Sequence, residues 1–218
     1  MKFIRPESSI IEKSKYRHYC ECWKPYTNPV VRMVYWNKLK KIFNYLQHRR
    51  WNLILEIGCG YGFFLPSLCQ ISDKVIGSDI EDMFDFCKEA TLTEIQKSFS
   101  NLELKKADAR YLSDYIDESS CDVIVAISVL EHINDYSEAV KEIRKCLKPN
   151  GIFACVLPTE NWLYRLGKRL VGYDKDYHKL YNFERLRADL RRSLKEVKKW
   201  NMPYGIPLFS AGVYTREE

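Results

Sequence analysis

The stretch Asn52-Leu-Ile-Leu-Glu56-Ile-Gly58-Cys59-Gly60-Tyr-Gly62 decides the fold of this chain. Its apolar first half predicts a buried parallel strand. Its three glycines, spaced two apart, predict a turn in which the backbone passes close to a ligand before a helix begins. Because a strand, a glycine turn and a helix in this order open a wound α/β sheet, the segment predicts that architecture.

Strands and helices alternate on the C-terminal side of this segment. Further strands are predicted over 74–78, 102–106, 122–128 and 152–157, and helices over 30–48, 63–70, 83–97, 136–147 and 183–194. The turn at residues 149–151, Pro-Asn-Gly, is expected to separate the helix 136–147 from the next strand. Extended segments at 196–200 and 210–215 predict a closing antiparallel pair. The predicted fold class is α/β, a Rossmann-like, doubly wound, mostly parallel seven-stranded sheet with an N-terminal helical cap and an insertion after the fifth strand.

Length and composition predict one soluble domain. The 218 residues fit a single core, with residues 1–50 as a helical cap, 51–158 as the cofactor-binding core, and 159–218 as a substrate-side insertion, last helix and closing strands. No stretch approaches the roughly 18 apolar residues of a membrane span. The N-terminus lacks the apolar part of a secretory signal, so we expect a cytoplasmic protein.

The eight cysteines are expected to be reduced and mostly buried, as in other intracellular proteins. Cys20 and Cys22, with His18 nearby, form the strongest metal-like pattern. Because this pattern lacks the second ligand pair of a structural zinc site, we predict no metal.

Charge is distributed unevenly along the chain. Residues 1–52 carry a net charge of +9, residues 53–158 carry −8 and residues 159–218 carry +5. An acidic core between basic ends suggests a basic surface at the C-terminal part, although solvated helix faces explain many such charges.

Asp79 ends the second predicted strand, 19 residues after Gly60. At that distance from a glycine turn, an acid can accept hydrogen bonds from the hydroxyls of an adenosine ribose. The alternative is that Asp79 caps the helix that follows. The GxGxG spacing also differs from the GxGxxG of dinucleotide-binding loops, whose helix N-terminus holds a pyrophosphate.

Two segments carry a family resemblance. The acid and glycines of residues 56–62 resemble motif I of class I S-adenosylmethionine-dependent methyltransferases. Residues 121–132, Cys-Asp-Val-Ile-Val-Ala-Ile-Ser-Val-Leu-Glu-His, resemble the "DvIvs..vLEH" block of the small-molecule and quinone-pathway members. The resemblance spans residues 53–158 and implies S-adenosylmethionine as cofactor and S-adenosylhomocysteine as product.

The resemblance also implies roles for individual residues. Asp108 would face the adenine, the backbone at Ser128 would lie beside the methionine part of the cofactor, and Glu131 with His132 would order the loop at the cleft. Together with the residues of the glycine loop and its partner acid, the expected cofactor-binding residues are Glu56, Gly58, Cys59, Gly60, Gly62, Asp79, Ile80, Asp108, Ala109 and Ser128.

The acceptor is less constrained by the sequence. Methyl transfer depends mainly on positioning, but an acidic acceptor needs a base, and His132 and His178 are the candidates by position; both also have ordinary structural explanations. We expect a small-molecule or lipid-like acceptor. The basic C-terminal region would allow peripheral contact with an anionic membrane, and nucleic acid ranks last among the partners. The sequence does not indicate an oligomeric state.

Two other functions remain open at this point. A methyltransferase-like scaffold without catalysis would use the same fold, although its glycine loop is here intact. A nicotinamide-dependent oxidoreductase would use a related wound sheet, but the GxGxG spacing and the Leu-Glu-His block disfavour it.

Overall fold

The computed structural model describes residues 1–5, 28–80, 99–170, 182–203 and 205–217. The predicted helix over 83–97, the candidate base His178 and the Cys20 and Cys22 pair lie outside the described residues. The chain contains two compact units, residues 1–106 and residues 107–218. The predicted division into a cap, a core and a substrate-side part stays a prediction.

The first helix in the described part of the first unit packs one face into the interior. Helix α1, Pro29–Leu46, starts at Asn28, whose side chain accepts hydrogen bonds from the amides of Val30 and Val31. Such a cap satisfies amides that a helix leaves without partners at its first turn. The buried apolar side chains of α1 recur at helical spacing, as the sequence predicts: Trp36, Leu39, Ile42, Phe43 and Leu46.

Three parallel strands follow in the residues of the first unit that the structure describes. Strand β1, Trp51–Ile57, is followed by the short helix α2, Leu65–Cys69, then β2, Ser72–Asp79, and β3, Leu102–Lys106. Strand β1 pairs with β2, and β2 pairs with β3. Residues 54–57 of β1 are all buried, which explains why its sequence is apolar rather than alternating.

The second unit carries the remaining elements. They are β4, Cys121–Ile127; α3, Tyr136–Cys146; β5, Leu147–Pro158; α4, Trp162–Leu170; α5, Phe183–Ser193; β6, Lys195–Met202; and β7, Phe209–Thr215. Short 3-10 turns cover Ala109–Asp114 and Leu130–His132. Strand β4 pairs with β5 in parallel, whereas β7 runs antiparallel to both β5 and β6.

The seven strands form one sheet in the order β3-β2-β1-β4-β5-β7-β6. The predicted α/β class with a mostly parallel seven-stranded sheet is therefore confirmed. The closing antiparallel pair, β6 and β7, is confirmed as well.

Two expectations about the second unit need correction. The Pro-Asn-Gly turn does not separate helix from strand, because β5 already begins at Leu147, which pairs with Cys121. Residues 149–151 form an irregularity inside that strand, where Asn150 adopts a φ of 61°. In addition, residues 162–170 form helix α4, which the aromatic and basic sequence did not predict.

All five cysteines in the described part of the chain are buried free thiols: Cys59, Cys69, Cys121, Cys146 and Cys155. The prediction of buried cysteines is confirmed for these five. Among the described helices, none has the length and apolar character needed to cross a membrane.

Candidate functional site

The glycine loop after β1 adopts a conformation that requires glycine. Gly58, Gly60 and Gly62 have φ values of 64°, 49° and 68°, in the left-handed region that side chains with a Cβ atom disfavour. A Cβ atom at Gly60 would meet open space. The glycine at this position is therefore explained by backbone conformation rather than by crowding.

Asp79 closes this loop from the end of β2. Its Oδ2 accepts a hydrogen bond from the Gly60 amide at 2.8 Å, and the Cys59 amide donates to the carbonyl of Ser78 at 2.9 Å. Two bonds thus tie the loop to the carboxyl end of the neighbouring strand. Asp79 is half-buried and the following Ile80 is 56% exposed, so the expected partner acid and the glycine loop lie together.

Glu56 lies in β1, two residues before the first glycine, and is 4% exposed. Its Oε2 is buried and has no hydrogen-bond partner among the described residues. Burial raises the pKa of Glu56 well above its ordinary value, and the negative charge of Asp79 raises it further. A buried carboxylate without a donor is costly, so this arrangement is suited to a ligand that brings a cationic hydrogen-bond donor.

Aromatic side chains back the loop within the first unit. Tyr61 is buried, its ring lies 5.8 Å from that of Phe63, and Phe63 contacts Trp36 of α1 edge to face at 5.7 Å. Burial raises the pKa of Tyr61 to about 12. This row of rings connects the loop to α1, a contact that the sequence did not suggest for Tyr61.

In the second unit, the chain turns sharply after β4. Ser128 has a φ of 57°, and its amide donates to the carbonyl of Val156 in β5 at 2.8 Å. Non-glycine residues in this region store strain that is concentrated at functional sites. Ser128 thus lies at the carboxyl end of a parallel strand, where ligands bind in wound sheets.

Asp108 has a local partner that the sequence analysis missed. Its carboxylate accepts hydrogen bonds from the Arg110 amide at 2.9 Å and from the Arg110 guanidinium, whose Nε lies 3.1 Å from each oxygen. These hydrogen bonds hold the pKa of Asp108 below its ordinary value. Asp108 therefore begins the 3-10 turn that contains the buried Ala109, and a role towards adenine must coexist with this pairing.

Of the two candidate bases, His132 and His178, the structure describes only His132. His132 ends the 3-10 turn Leu130–His132 and is exposed, whereas the adjacent Glu131 is buried. His178 lies outside the described residues. Thus the first unit brings Glu56, the glycines, Cys59 and Asp79 together, while Asp108, Ala109, Ser128 and His132 belong to the second unit.

Comparison with known proteins links the chain to one family. Residues 55–155 match the family described as "Methyltransferase domain". A probable S-adenosylmethionine-dependent methyltransferase of Mycolicibacterium smegmatis is 27% identical over 57% of this chain and 46% of its own. A ubiquinone biosynthesis O-methyltransferase of Pelagibacter ubique is 31% identical over 45% of this chain and 39% of its own. The chain thus spans less than half of the length of these two relatives.

A solved structure supports the same fold. Magnesium protoporphyrin IX methyltransferase of Synechocystis, solved with bound SAH, superposes with a TM-score of 0.69 over 87% of this chain and 88% of that one, at 14% identity. The matched residues contain the loop geometry described for Glu56, Gly58 and Gly60, and the strand order is that of a wound α/β sheet. The family match over residues 55–155 and these relatives thus support a class I S-adenosylmethionine-dependent methyltransferase.

Proposed function

We propose that the chain transfers a methyl group from S-adenosylmethionine to a small-molecule acceptor. The observation that carries this proposal is the buried, unsatisfied Oε2 of Glu56 beside a glycine loop that Asp79 holds in place. The family match over residues 55–155 supports the same reaction.

The residues of the first unit fit this cofactor chemically. S-adenosylmethionine carries an ammonium group, which supplies the cationic donor that the Glu56 carboxylate lacks. Its ribose hydroxyls are donors suited to the carboxylate of Asp79, which lies beside the glycine loop. The positive φ angles of the loop bring its backbone close to a ligand. Binding by Cys59, Ile80, Asp108, Ala109 and Ser128 is proposed from the resemblance.

When bound, the cofactor supplies a methyl group activated by a sulfonium. The protein's task is then to hold the acceptor in line with that methyl group and to exclude water, because orientation supplies much of the rate. An acceptor hydroxyl or carbon acid requires a base, and His132 and His178 remain the proposed candidates. The exposure of His132 is compatible with contact to an acceptor.

The acceptor class is proposed from two observations. The relative from Pelagibacter ubique is named for ubiquinone biosynthesis, which favours a small, ring-bearing or lipid-like acceptor. The C-terminal part of the chain is basic, which favours peripheral contact with an anionic membrane, where such acceptors reside.

Calorimetric titration of the purified chain tests the cofactor proposal. Separate titrations use S-adenosylmethionine, S-adenosylhomocysteine and a nicotinamide dinucleotide. We expect binding of the first two alone. Binding of the dinucleotide alone would favour the oxidoreductase, and the absence of binding by any of the three would contradict the proposal.

The reaction itself is tested with a labelled methyl donor and a panel of quinone-like and polar acceptors. Catalysis predicts transfer of label to at least one acceptor, with loss of transfer in Glu56→Gln. Tight cofactor binding without transfer to any acceptor in the panel would support the scaffold function instead.

A further inference from the structure

Helix α4 exposes apolar side chains next to basic ones. Trp162 is 75% exposed and Leu166 is 44% exposed, and these two residues lie one turn apart on the same side of the helix. Arg165 and Arg169, also one turn apart, are exposed as well. We call these four side chains the α4 face. The nine residues of α4 contain three basic side chains and no acidic one.

The opposite side of α4 is fixed to the second unit. Tyr164 packs edge to face on Phe209 of β7, with ring centroids 5.4 Å apart, and Lys168 lies over the Tyr164 ring at 5.8 Å. Because Tyr164 points away from the stripe that Trp162 and Leu166 form, the packing orients the α4 face outwards.

Hydrogen bonds also fix the start of the helix. The Asn161 side chain caps α4 by accepting from the Tyr164 amide at 2.8 Å, and it donates to the carbonyl of Pro207 at 2.6 Å. Thr159 bonds to the same carbonyl. These bonds hold the turn before β7, which contains the 45% exposed Ile206, next to the helix start.

The chemistry of the α4 face matches an anionic lipid surface. Tryptophan prefers the boundary between headgroups and acyl chains, a helix with apolar and basic faces lies in that boundary, and arginines near it are attracted to anionic headgroups. We propose that α4 docks the protein on an anionic bilayer, with Trp162 and Leu166 inserted between headgroups that Arg165 and Arg169 contact.

This docking deepens the proposed function. Helix α4 follows the carboxyl end of β5, and ligands of wound sheets bind at that end of the strands. Docking through α4 would bring that end of β5 to the lipid surface, where a lipid-like acceptor enters. The relation to the acceptor therefore rests on the proposed methyl transfer, whereas the docking itself can be measured without it.

Vesicle flotation with the full chain tests the proposal. The vesicles contain phosphatidylcholine alone or with about one-third phosphatidylglycerol, an anionic lipid. We expect partition into the anionic vesicles only. The substitution of Arg165 and Arg169 by Gln is expected to lower the partition coefficient about thirtyfold, since each basic side chain near an anionic surface contributes about fivefold. Trp162→Gln with Leu166→Gln is expected to lower it at least tenfold, because apolar insertion is lost.

Two matched pairs serve as controls. Arg185→Gln with Arg192→Gln removes the same charge from exposed positions of α5, and Val30→Gln with Met33→Gln removes two exposed apolar side chains from α1. We expect less than a threefold change from either pair. Equal losses in the control and α4 variants would overturn the proposal, because binding would then follow overall charge or polarity.

A fluorescence measurement locates the inserted side chain. Brominated lipids are expected to quench the tryptophan fluorescence of the wild-type protein more than that of the Trp162→Phe variant. This variant keeps an aromatic ring and should still bind vesicles. Equal quenching in the two proteins would overturn insertion of Trp162. The docking proposal would be overturned if the wild-type protein did not bind anionic vesicles. It would also be overturned if RNA displaced the protein from the vesicles when the phosphate charge of the RNA equals the charge of the anionic lipid.

Titration with S-adenosylhomocysteine on the same preparations separates this inference from the proposed function. Vesicle binding without cofactor binding would support docking and contradict the methyl transfer. Cofactor binding without vesicle binding would contradict docking and leave the proposed methyl transfer supported.

Discussion

Glu56→Gln is expected to stabilise the free protein and to weaken its binding of S-adenosylmethionine, two effects of opposite sign. The buried Oε2 of Glu56 has no hydrogen-bond partner among the described residues, and the carboxyl group lies close enough to Asp79 for their charges to repel. Glutamine keeps the shape of the side chain but removes the charge. The free protein thereby loses the cost of burying a negative charge beside Asp79, while the cofactor complex loses a favourable contact.

The size of both effects follows from the chemistry of the site. An unsatisfied buried group costs more when it is charged than when it is neutral, so replacing the carboxylate by a neutral amide should raise the stability at neutral pH by about 1–3 kcal/mol, with a rise in Tm of about 2–4 °C per kcal/mol for a chain of this size. A hydrogen bond to a charged group contributes about 1.5–3 kcal/mol. S-adenosylmethionine should therefore bind roughly 10- to 150-fold more weakly.

The pH dependence of the stability difference gives a second check. Because the pKa of Glu56 is raised in the folded protein, its contribution to stability is fully present below the ordinary value of 4.5 and is lost as the pH rises towards the folded pKa. The variant has no such loss. Its advantage over the wild type should therefore be small below pH 4.5 and grow as the pH increases.

Denaturant unfolding at several pH values and calorimetric titration measure these quantities. Glu103→Gln is the matched control, because Glu103 lies in β3 of the same unit, is half-exposed and pairs with Lys74 at 2.7 Å. We expect that control to change stability by no more than about 1 kcal/mol and to leave cofactor affinity unchanged. A Glu56→Gln protein that is less stable than the wild type at neutral pH, or that binds the cofactor equally well, would refute the reasoning.

Three further predictions concern other positions. Asp79→Ala should weaken S-adenosylmethionine binding by about 1.5–3 kcal/mol in calorimetry, and unchanged affinity in a folded variant would contradict the ribose role. Gly212→Ala should lower the free energy of unfolding by about 1–3 kcal/mol, because a Cβ there would lie 2.6 Å from the Tyr214 ring; an unchanged denaturation midpoint would refute this. Arg110→Gln should destabilise the protein at neutral pH but not in acid, because Arg110 lowers the pKa of Asp108 and the stability gained from that shift disappears as Asp108 is protonated; an equal effect at both pH values would exclude this cause.

Much of the fold was predictable because the parallel strands are continuous apolar runs. The predicted strand over 102–106 agrees with β3, Leu102–Lys106, and the predicted strand over 122–128 differs from β4 by one residue at each end. The start of β5 was missed because Leu147 and Lys148 continue a helical sequence. Only the partner strand, through the pairing of Cys121 with Leu147, shows that they are extended.

Helix α4 was missed for a different reason. Its sequence is rich in aromatic residues and contains Gly167, which disfavours a helix interior by about 1 kcal/mol. The cap provided by Asn161 and the packing of Tyr164 on Phe209 compensate for this preference. The packing on Phe209 and the bond that holds Asn161 to Pro207 join residues more than 40 positions apart in the sequence, which local patterns do not reveal. Glu56 shows the same limit of local patterns. The sequence predicted Glu56 as a cofactor-binding residue, but it did not show that the Oε2 atom is buried without a hydrogen-bond partner among the described residues.

Asp79 has a structural role in the glycine loop in addition to the cofactor contact that we propose. Its bond to the Gly60 amide stabilises a loop in which Gly60 has a φ of 49°, so the carboxylate is already oriented before a cofactor arrives. A ligand that binds a side chain already fixed in place loses less conformational entropy than one that must order it. The bond between Gly60 and Asp79, 19 residues apart, therefore stabilises the folded loop. It also orients the Asp79 carboxylate for the ribose contact that we propose.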